Sequence, residues 1–236
     1  IHTGLGVRSI AAYLKRETDF EVVVKEHTIN NHAEDILSQL YSCAADVDLF
    51  ACYIWNIELV LRLCRDLRQL RPDAWIGLGG PQVRYQAEAV LADEPELDFI
   101  LTGEGEQSVR SLLQALMEDE PLSTCAGLVY REGDALYVTP AGPPLDMDVL
   151  AFPYPDLNAL GNRIVYYESM RGCPFACSYC VSSIERGVRT RSLPLVFEDL
   201  TTFLTHRVPQ VKFVDRTFNC DRERARAIWA LLAEHD

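Results

Sequence analysis

No stretch of this chain approaches the run of about 18 consecutive apolar residues that a membrane-spanning helix needs. Basic residues are also few: 22 Lys and Arg stand against 35 Asp and Glu, a formal net charge of −13. Binding nucleic acid by neutralising phosphates would need a strong local basic patch on that background. The densest basic stretch, Arg186, Arg189 and Arg191, with Arg222, Arg224 and Arg226 further on, is too sparse to supply one. Neither G-x4-G-K-[ST] nor G-x-G-x-x-G occurs, so neither phosphate-binding glycine loop is present. The first half lacks the strand-end acidic cluster and partner lysine of a phosphoryl-accepting regulator. No secretion signal is visible, which argues against reading the eight cysteines as a disulfide scaffold. What is there is ordinary for a folded protein. Of 236 residues, 48% are hydrophobic and 24% charged, which excludes disordered, collagen-like and coiled-coil chains and fits one large or two ordinary domains.

Helical and strand-like stretches alternate along the first half. Val7, Ile10, Ala11 and Leu14 recur at helical spacing over 4–16, and Phe20 to Val24 reads as a short buried strand. Asn31 stands where it caps a helix with the stripe Ala33, Ile36, Leu37 and Leu40. Val47 to Tyr53 is the next strand. Asn56 then caps a helix bearing Ile57, Val60, Leu61, Cys64 and Leu67. Ala74–Leu78 and Asp98–Leu101 are further strands, followed by helices marked by Ala87, Val90 and Leu91, and by Val109, Leu112, Leu113 and Leu116. Short strands that are apolar throughout are buried on both faces, which predicts a parallel sheet covered by helices. The chain opens at Ile1 without methionine, and only three residues precede its first helix. The expectation is therefore that a first strand lies upstream. In a flavodoxin-like order it would separate 20–24 from 47–53, which then do not pair directly.

Leu128–Arg131 and Ala135–Thr139 flank Glu132-Gly133-Asp134, a hairpin signal. Five of the 12 prolines follow between Pro140 and Pro155, a linker by composition. A second unit begins with a strand at 163–168. It continues with a helix over 193–204, a strand over 211–214 and a helix over 221–232. Between its first strand and first helix lies Cys173-Pro-Phe-Ala-Cys177-Ser-Tyr-Cys180, a C-x3-C-x2-C cluster. Zinc sites ordinarily add a second cysteine pair or histidines. Here there is no second pair, and no histidine lies within 20 residues. Iron–sulfur clusters are normally held by four cysteines, so three leave one iron open to a further ligand.

Ser169-Met-Arg171-Gly172-Cys173-Pro174-Phe175-Ala-Cys177-Ser-Tyr179-Cys180, directly after an apolar strand, resembles the signature of radical S-adenosylmethionine (SAM) enzymes. The resemblance implies that Cys173, Cys177 and Cys180 hold a 4Fe–4S cluster whose fourth iron is chelated by SAM. It implies that Tyr179 lines the adenine site. The fold it implies is a partial (β/α)6 barrel with the cluster at its mouth, as barrel chemistry sits at the carboxyl ends of strands. Many family members carry Gly-Gly-Glu at the end of the next strand to meet the SAM amino group. This chain has Val214-Asp215-Arg216 there, and Asp215 is the carboxylate assigned that role.

In the first half, ligands of an open parallel sheet gather beyond the carboxyl ends of the strands. Four segments stand there: His2-Thr3-Gly4-Leu5; Tyr53-Ile54-Trp55-Asn56; Gly79-Gly80-Pro81-Gln82; and Gly103-Glu104-Gly105-Glu106 after Thr102. Upstream of a radical SAM motif, they resemble the cobalamin-binding domain of cobalamin-dependent radical SAM enzymes. The Asp-x-His-x-x-Gly motif that supplies a histidine to cobalt elsewhere is absent. The expected cobalamin is therefore bound with its tail displaced and no histidine in place, its lower face meeting Tyr53, Ile54 or Trp55. Gly79, Gly80 and Gly103 are expected to open the slot for the tail. His2 is the competing ligand.

The resemblance implies a cobalamin-binding Rossmann-like domain over 1–120, a hairpin and linker over 121–160, and the start of a radical SAM barrel over 161–236. It implies 4Fe–4S, SAM and cobalamin as cofactors, and methyl transfer through a 5′-deoxyadenosyl radical as the commonest outcome. The partners it implies are a small-molecule or peptide substrate and an electron donor such as flavodoxin or ferredoxin, in the cytoplasm, with no membrane or nucleic acid. The alternatives are a radical SAM methylthiotransferase, a cobalamin-dependent rearrangement or oxidation enzyme, and a non-enzymatic cluster or cobalamin sensor. A methylthiotransferase would need a second cysteine triad, and Cys43, Cys52 and Cys64 lie on separate predicted elements.

Overall fold

The computed structural model describes residues 2–183 and 187–235, so Ile1 and Arg186, both named above, lie outside the described residues. The chain divides into two compact units, one of Ile1–Arg16 with Leu145–Asp236, the other of Glu17–Pro144. These limits differ from the expected boundaries at 120 and 160. The helix α1 (Leu5–Glu17) falls largely with the later half rather than with the first sheet.

Within Glu17–Pro144, α2 (Ala33–Cys43) precedes β1 (Val47–Ala51), α3 (Ile57–Leu70), β2 (Trp75–Gly79), α4 (Ala87–Asp93), β3 (Phe99–Leu101) and α5 (Gly105–Glu118). The three strands pair in parallel in the order β1-β2-β3. The apolar stripes dictate this layering. On α3, Val60, Leu63, Cys64 and Leu67 are buried at helical spacing. Val60, Cys64 and Leu67 pack with Ile76, Leu78 and Ile100 from the strands, and Leu63 turns to Ala33 and Ile36 of α2. At the amino end of the sheet, Arg68 grips the Asp98 carboxylate at 2.5 Å while the Ile76 N–H donates to the same oxygen at 2.7 Å.

Two expectations are corrected here. Phe20–Val24 is not a strand: residues 18–28 carry no helix or strand. Their burial still alternates, with Phe20, Val22 and Val24 half-buried and Glu21, Val23 and Lys25 exposed, the period of two of a strand. Strand structure also needs pairing to a neighbouring strand, and among the described residues no strand pairs with this segment; in particular it does not pair with β1. The hairpin is not part of a separate linker. Its strands β4 (Leu128–Glu132) and β5 (Ala135–Val138) extend the sheet antiparallel to β3, with Ile100 opposite Val129, and this buries the apolar Leu128 and Val129 and the ring of Tyr130.

In the other unit, β6 (Val165–Tyr167) is followed by β7 (Met170–Cys173), β8 (Gly187–Thr190), α6 (Leu193–Thr205), β9 (Val211–Phe213) and α7 (Arg222–Ala233). The strands β6 and β9 pair in parallel, Val165 opposite Val211, across the connection that contains α6. Strands were expected at these two places and only these; among the described residues they form a two-stranded sheet, and β7 and β8 add a second. The core around β6 and β9 is Tyr154, Leu160, Val165, Tyr167, Val196, Leu200, Phe203 and Ile228. On the other side of β6, His2 bridges Ile164 and the Thr3 N–H donates to the Ile164 carbonyl at 3.1 Å. The sequence did not predict β7 and β8, which pair antiparallel with Cys173 opposite Gly187.

Candidate functional site

The loop between β7 and β8 carries the cysteines. Gly172 has φ +90°, and a Cβ there would collide with the Gly187 carbonyl oxygen, so only glycine lets the hairpin close at the first cysteine. Cys173 is half-buried, whereas Cys177 and Cys180 are exposed, and a turn joins the latter two, the Cys180 N–H donating to the Cys177 carbonyl at 3.1 Å. The Cys173 sulfur lies 3.4 Å from the Thr217 hydroxyl. That hydrogen bond, with the Phe175 N–H and the nearby Arg216, draws the Cys173 thiol below its ordinary pKa. The Tyr179 ring stands 91% exposed on the same loop.

Asp215, just beyond β9, fastens the base of this loop. Its Oδ1 accepts from the N–H groups of Ser169 (2.8 Å) and Met170 (3.2 Å), and its Oδ2 accepts from the Ser169 hydroxyl at 2.6 Å. Buried Arg224 of α7 donates to the Ser169 carbonyl at 3.0 Å. Burial raises the Asp215 pKa against the opposing pull of these bonds and of Arg224. Close by, Tyr167 donates to Asp199 at 2.8 Å, and Arg191 donates to the same oxygen at 2.9 Å and to the carbonyls of Met147 and Leu150. Sequence reading missed Ser169, Arg191, Asp199, Thr217 and Arg224 as partners. Their only signal was proximity to the cysteine motif or to the end of a predicted strand.

Among the described residues, no three His, Cys, Asp or Glu side chains stand together as a single metal ion would require. A 4Fe–4S cube makes a different demand, since its ligand sulfurs bind separate irons. The donor set fits it: three thiols on one loop, none in a disulfide, two of them exposed and the third already drawn toward the thiolate. The remaining cysteines differ. Burial pushes the Cys52 thiol up to about 12 and raises Cys64 well above its ordinary value, as for inert packed thiols. Cys220 is exposed, and its N–H closes the turn with Thr217.

In the first sheet, three of the four expected segments follow strand ends of one compact unit: Tyr53–Asn56 after β1, Gly79–Gln82 at the end of β2, and Gly103–Glu106 after β3. Parallel pairing brings the carboxyl ends of β1, β2 and β3 to one edge, with Ala51 opposite Gly79 and Gly79 opposite Leu101. Asn56 does not cap α3 with its side chain. Its Oδ1 accepts from the Tyr53 N–H at 2.7 Å and its Nδ2 donates to the Ala51 carbonyl at 2.9 Å. That amide holds the Tyr53–Trp55 loop, whose two rings stack at 4.7 Å with Ile54 and Trp55 strongly exposed. Gly80 has φ +106°, and a Cβ there would meet the Cys52 carbonyl oxygen at 2.7 Å, whereas Gly79 and Gly103 have ordinary space. Pro81 and Gln82 are exposed, and the Gln82 N–H donates to the Cys52 carbonyl at 3.3 Å. Glu104 precedes α5, Gly105 begins it and Glu106 is buried in its first turn.

The fourth segment is not in that unit. Thr3, Gly4 and Leu5 belong with the β6–β9 unit, where the Thr3 hydroxyl lies 3.2 Å from that of Tyr154. His2 Nδ1 is 2.7 Å from the Tyr166 hydroxyl and the two rings stack. The helix Asn31 was expected to cap begins after His32 instead, and the Asn31 Oδ1 accepts from the Thr28 N–H.

The loops at the carboxyl edge of the parallel sheet and the three-thiol loop after β6 are thus two candidate ligand sites. Comparison with known proteins shows what the chain resembles. Residues 1–113 match the B12 binding domain family. An uncharacterized methyltransferase of Pyrococcus horikoshii is 25% identical over 94% of this chain and 50% of its own. The cobalamin-dependent radical SAM methyltransferase TokK of Streptomyces tokunonensis is 27% identical over 78% of this chain and 29% of its own. The anaerobic magnesium-protoporphyrin IX monomethyl ester cyclase of a Synechocystis strain is 33% identical over 52% of this chain and 26% of its own. In fold, the structure of the cobalamin-dependent radical SAM enzyme OxsB with aqua-cobalamin and SAM bound aligns over all of this chain and 34% of its own, with TM-score 0.84 at 19% identity. That of TsrM from Kitasatospora setae, a radical SAM methyltransferase, aligns over 99% and 48%, with TM-score 0.76 at 16% identity. The chain thus spans half or less of the length of these relatives. These matches make the chain similar to cobalamin-dependent radical SAM enzymes.

Proposed function

We propose that this chain binds cobalamin and a SAM-chelated 4Fe–4S cluster and serves a radical methyl transfer. The observation that carries the reading is the three-thiol loop of the β7–β8 hairpin, within the connection from β6 to its parallel partner β9, in a chain whose residues 1–113 match a B12-binding family. When bound, the cluster and SAM supply a 5′-deoxyadenosyl radical and cobalamin supplies the methyl group. The protein's own work is to hold and orient. Cys173, Cys177 and Cys180 are the proposed cluster ligands. Tyr179 offers its open ring to the adenine of SAM. Asp215 is the carboxylate proposed to meet the SAM amino group, and its three hydrogen bonds from Ser169 and Met170 fix where the cysteine loop begins. The loops at Tyr53–Asn56, Gly79–Gln82 and Gly103–Glu106 are the proposed cobalamin contacts, with Thr3, Gly4 and Leu5 as the remaining candidates.

His2 is engaged with Tyr166, which supports cobalamin bound without a histidine ligand. Paramagnetic resonance of the cob(II)alamin form is expected to lack nitrogen splitting; a three-line splitting lost in His2→Ala overturns this. A small-molecule or peptide substrate and a flavodoxin- or ferredoxin-type electron donor in the cytoplasm complete the proposal. Among the described residues no helix is long and apolar enough to cross a membrane.

The test is anaerobic reconstitution with iron, sulfide, cobalamin, SAM and a one-electron reductant. Both 5′-deoxyadenosine and S-adenosylhomocysteine are expected. S-adenosylhomocysteine alone removes the radical step. Deoxyadenosine alone favours a second reading, a reaction without methyl transfer, to which the likeness to the protoporphyrin ester cyclase points.

A further inference from the structure

The turn after β9 has no part in the reading above beyond Asp215, yet it places a hydroxyl against one proposed cluster ligand. Thr217 Oγ1 lies 3.4 Å from Cys173 Sγ. As thiol and alcohol, either atom can donate. As a cluster ligand the sulfur carries no proton, so the hydroxyl must be the donor. The arrangement is held from several directions. Asp215, two residues before Thr217, is tied to Ser169 and Met170 at the foot of the cysteine strand. Phe218, next after Thr217, packs edge-on between Phe213 and Trp229. The Thr217 carbonyl accepts from the Cys220 N–H at 2.9 Å, closing the turn, and Asp221 then caps α7 through the N–H groups of Glu223 and Arg224. Thr217 is half-buried, and Cys173 is the least exposed of the three cysteines.

We propose that the Thr217 hydroxyl is a positioning residue for the cluster that donates to the Cys173 thiolate and raises the reduction potential of the cluster. This rests on the three-cysteine reading above. One electron from an external one-electron reductant adds negative charge that spreads onto the ligand sulfurs. A donor aimed at one of them stabilises the reduced state more than the oxidised one, and such hydrogen bonds are among the determinants of cluster potential.

The experiment is a redox titration, followed by paramagnetic resonance of the reduced cluster, on the reconstituted chain and on Thr217→Val, Thr217→Ala and Thr217→Ser. Valine keeps the shape without the donor, and serine keeps the donor. Relative to the parent, Thr217→Val and Thr217→Ala are expected to show about a tenfold lower ratio of reduced to oxidised cluster at a fixed potential, about 59 mV for one electron. Thr217→Ser is expected to keep the parent midpoint. Parent-like midpoints in valine and alanine overturn the proposal, as does a serine variant shifted as far as valine. If neither non-donating variant takes up a cluster while serine does, the hydroxyl serves assembly and the tuning role is likewise overturned. A parent chain that takes up no cluster defeats the cysteine assignment itself, a result distinguishable from any of these.

Discussion

The eight cysteines differ in setting, and position on one loop, more than burial, sets three of them apart. Cys173, Cys177 and Cys180 share one loop, and Cys177 and Cys180 are exposed, whereas Cys52 and Cys64 lie within the first core. Replacing any one of the three loop cysteines by alanine is expected to abolish the iron–sulfur absorbance after reconstitution. Single alanines at Cys43, Cys52, Cys64 and Cys125 should leave it intact, and a cluster surviving in Cys177→Ala would sink the ligand assignment. Cys52 also makes a pH prediction. Its folded pKa, about 12, lies above the ordinary thiol value near 8.5, so the folded state keeps a proton that the unfolded state loses. Its contribution is fully present below about pH 8.5 and is lost as pH rises toward 12, amounting to about 2 kcal/mol by pH 10. Urea unfolding at pH 7 and pH 10 should show this fall, and Cys52→Ala should lessen it. An unchanged slope in the variant would assign the alkaline loss to other groups.

At the scale of elements, the strand-end glycines separate shape from ligand. A methyl group at Gly79 or Gly103 meets nothing closer than 3.7 Å, while at Gly80 it would press on the Cys52 carbonyl from a backbone angle that side chains rarely adopt. Gly79→Ala and Gly103→Ala should therefore change stability by less than about 1 kcal/mol, and Gly80→Ala should cost about 1–3 kcal/mol. If the first two glycines make room for cobalamin, their variants will also retain less cobalamin after gel filtration; full retention in both would remove them from the site. The helices were legible because their apolar stripes match the buried faces, as Val60, Cys64 and Leu67 show on α3. The strands β2 and β3 were legible because they are apolar throughout. The β7–β8 hairpin was not: Gly187-Val-Arg-Thr has neither an apolar run nor a useful alternation, and what defines it is the close approach of Gly172 to Gly187. Asp215 and the cysteines were legible by type and spacing. Thr217 and Ser169 were not, because a threonine or serine acquires its role only when a turn carries it to a partner more than 40 residues away in sequence.

At the scale of the whole molecule, one compact unit is discontinuous in sequence: Ile1–Arg16 joins Leu145–Asp236, and Glu17–Pro144 lies between them in the chain. Pulse-labelled hydrogen exchange during refolding should protect the amides of β1, β2 and α3 before that of Thr3. Simultaneous protection would show that the two units fold as one. The reason is loop closure: Thr3 meets Ile164 across a separation of 161 residues, whereas β1 and β2 need only the helix between them. The same feature acts during synthesis. At about 5–20 residues per second, roughly 10–30 s pass between the making of Thr3 and the making of its partner strand. Through that interval the face of α1 that carries Ala11, Tyr13 and Leu14 has been translated while β6 and α6 have not, and it must stay soluble on the ribosome. The basic Lys15 and Arg16 in its last turn favour the helix dipole and keep the waiting helix hydrated. Chaperone dependence in this protein is thus expected to concentrate on the helix α1, which is made long before the elements it packs with.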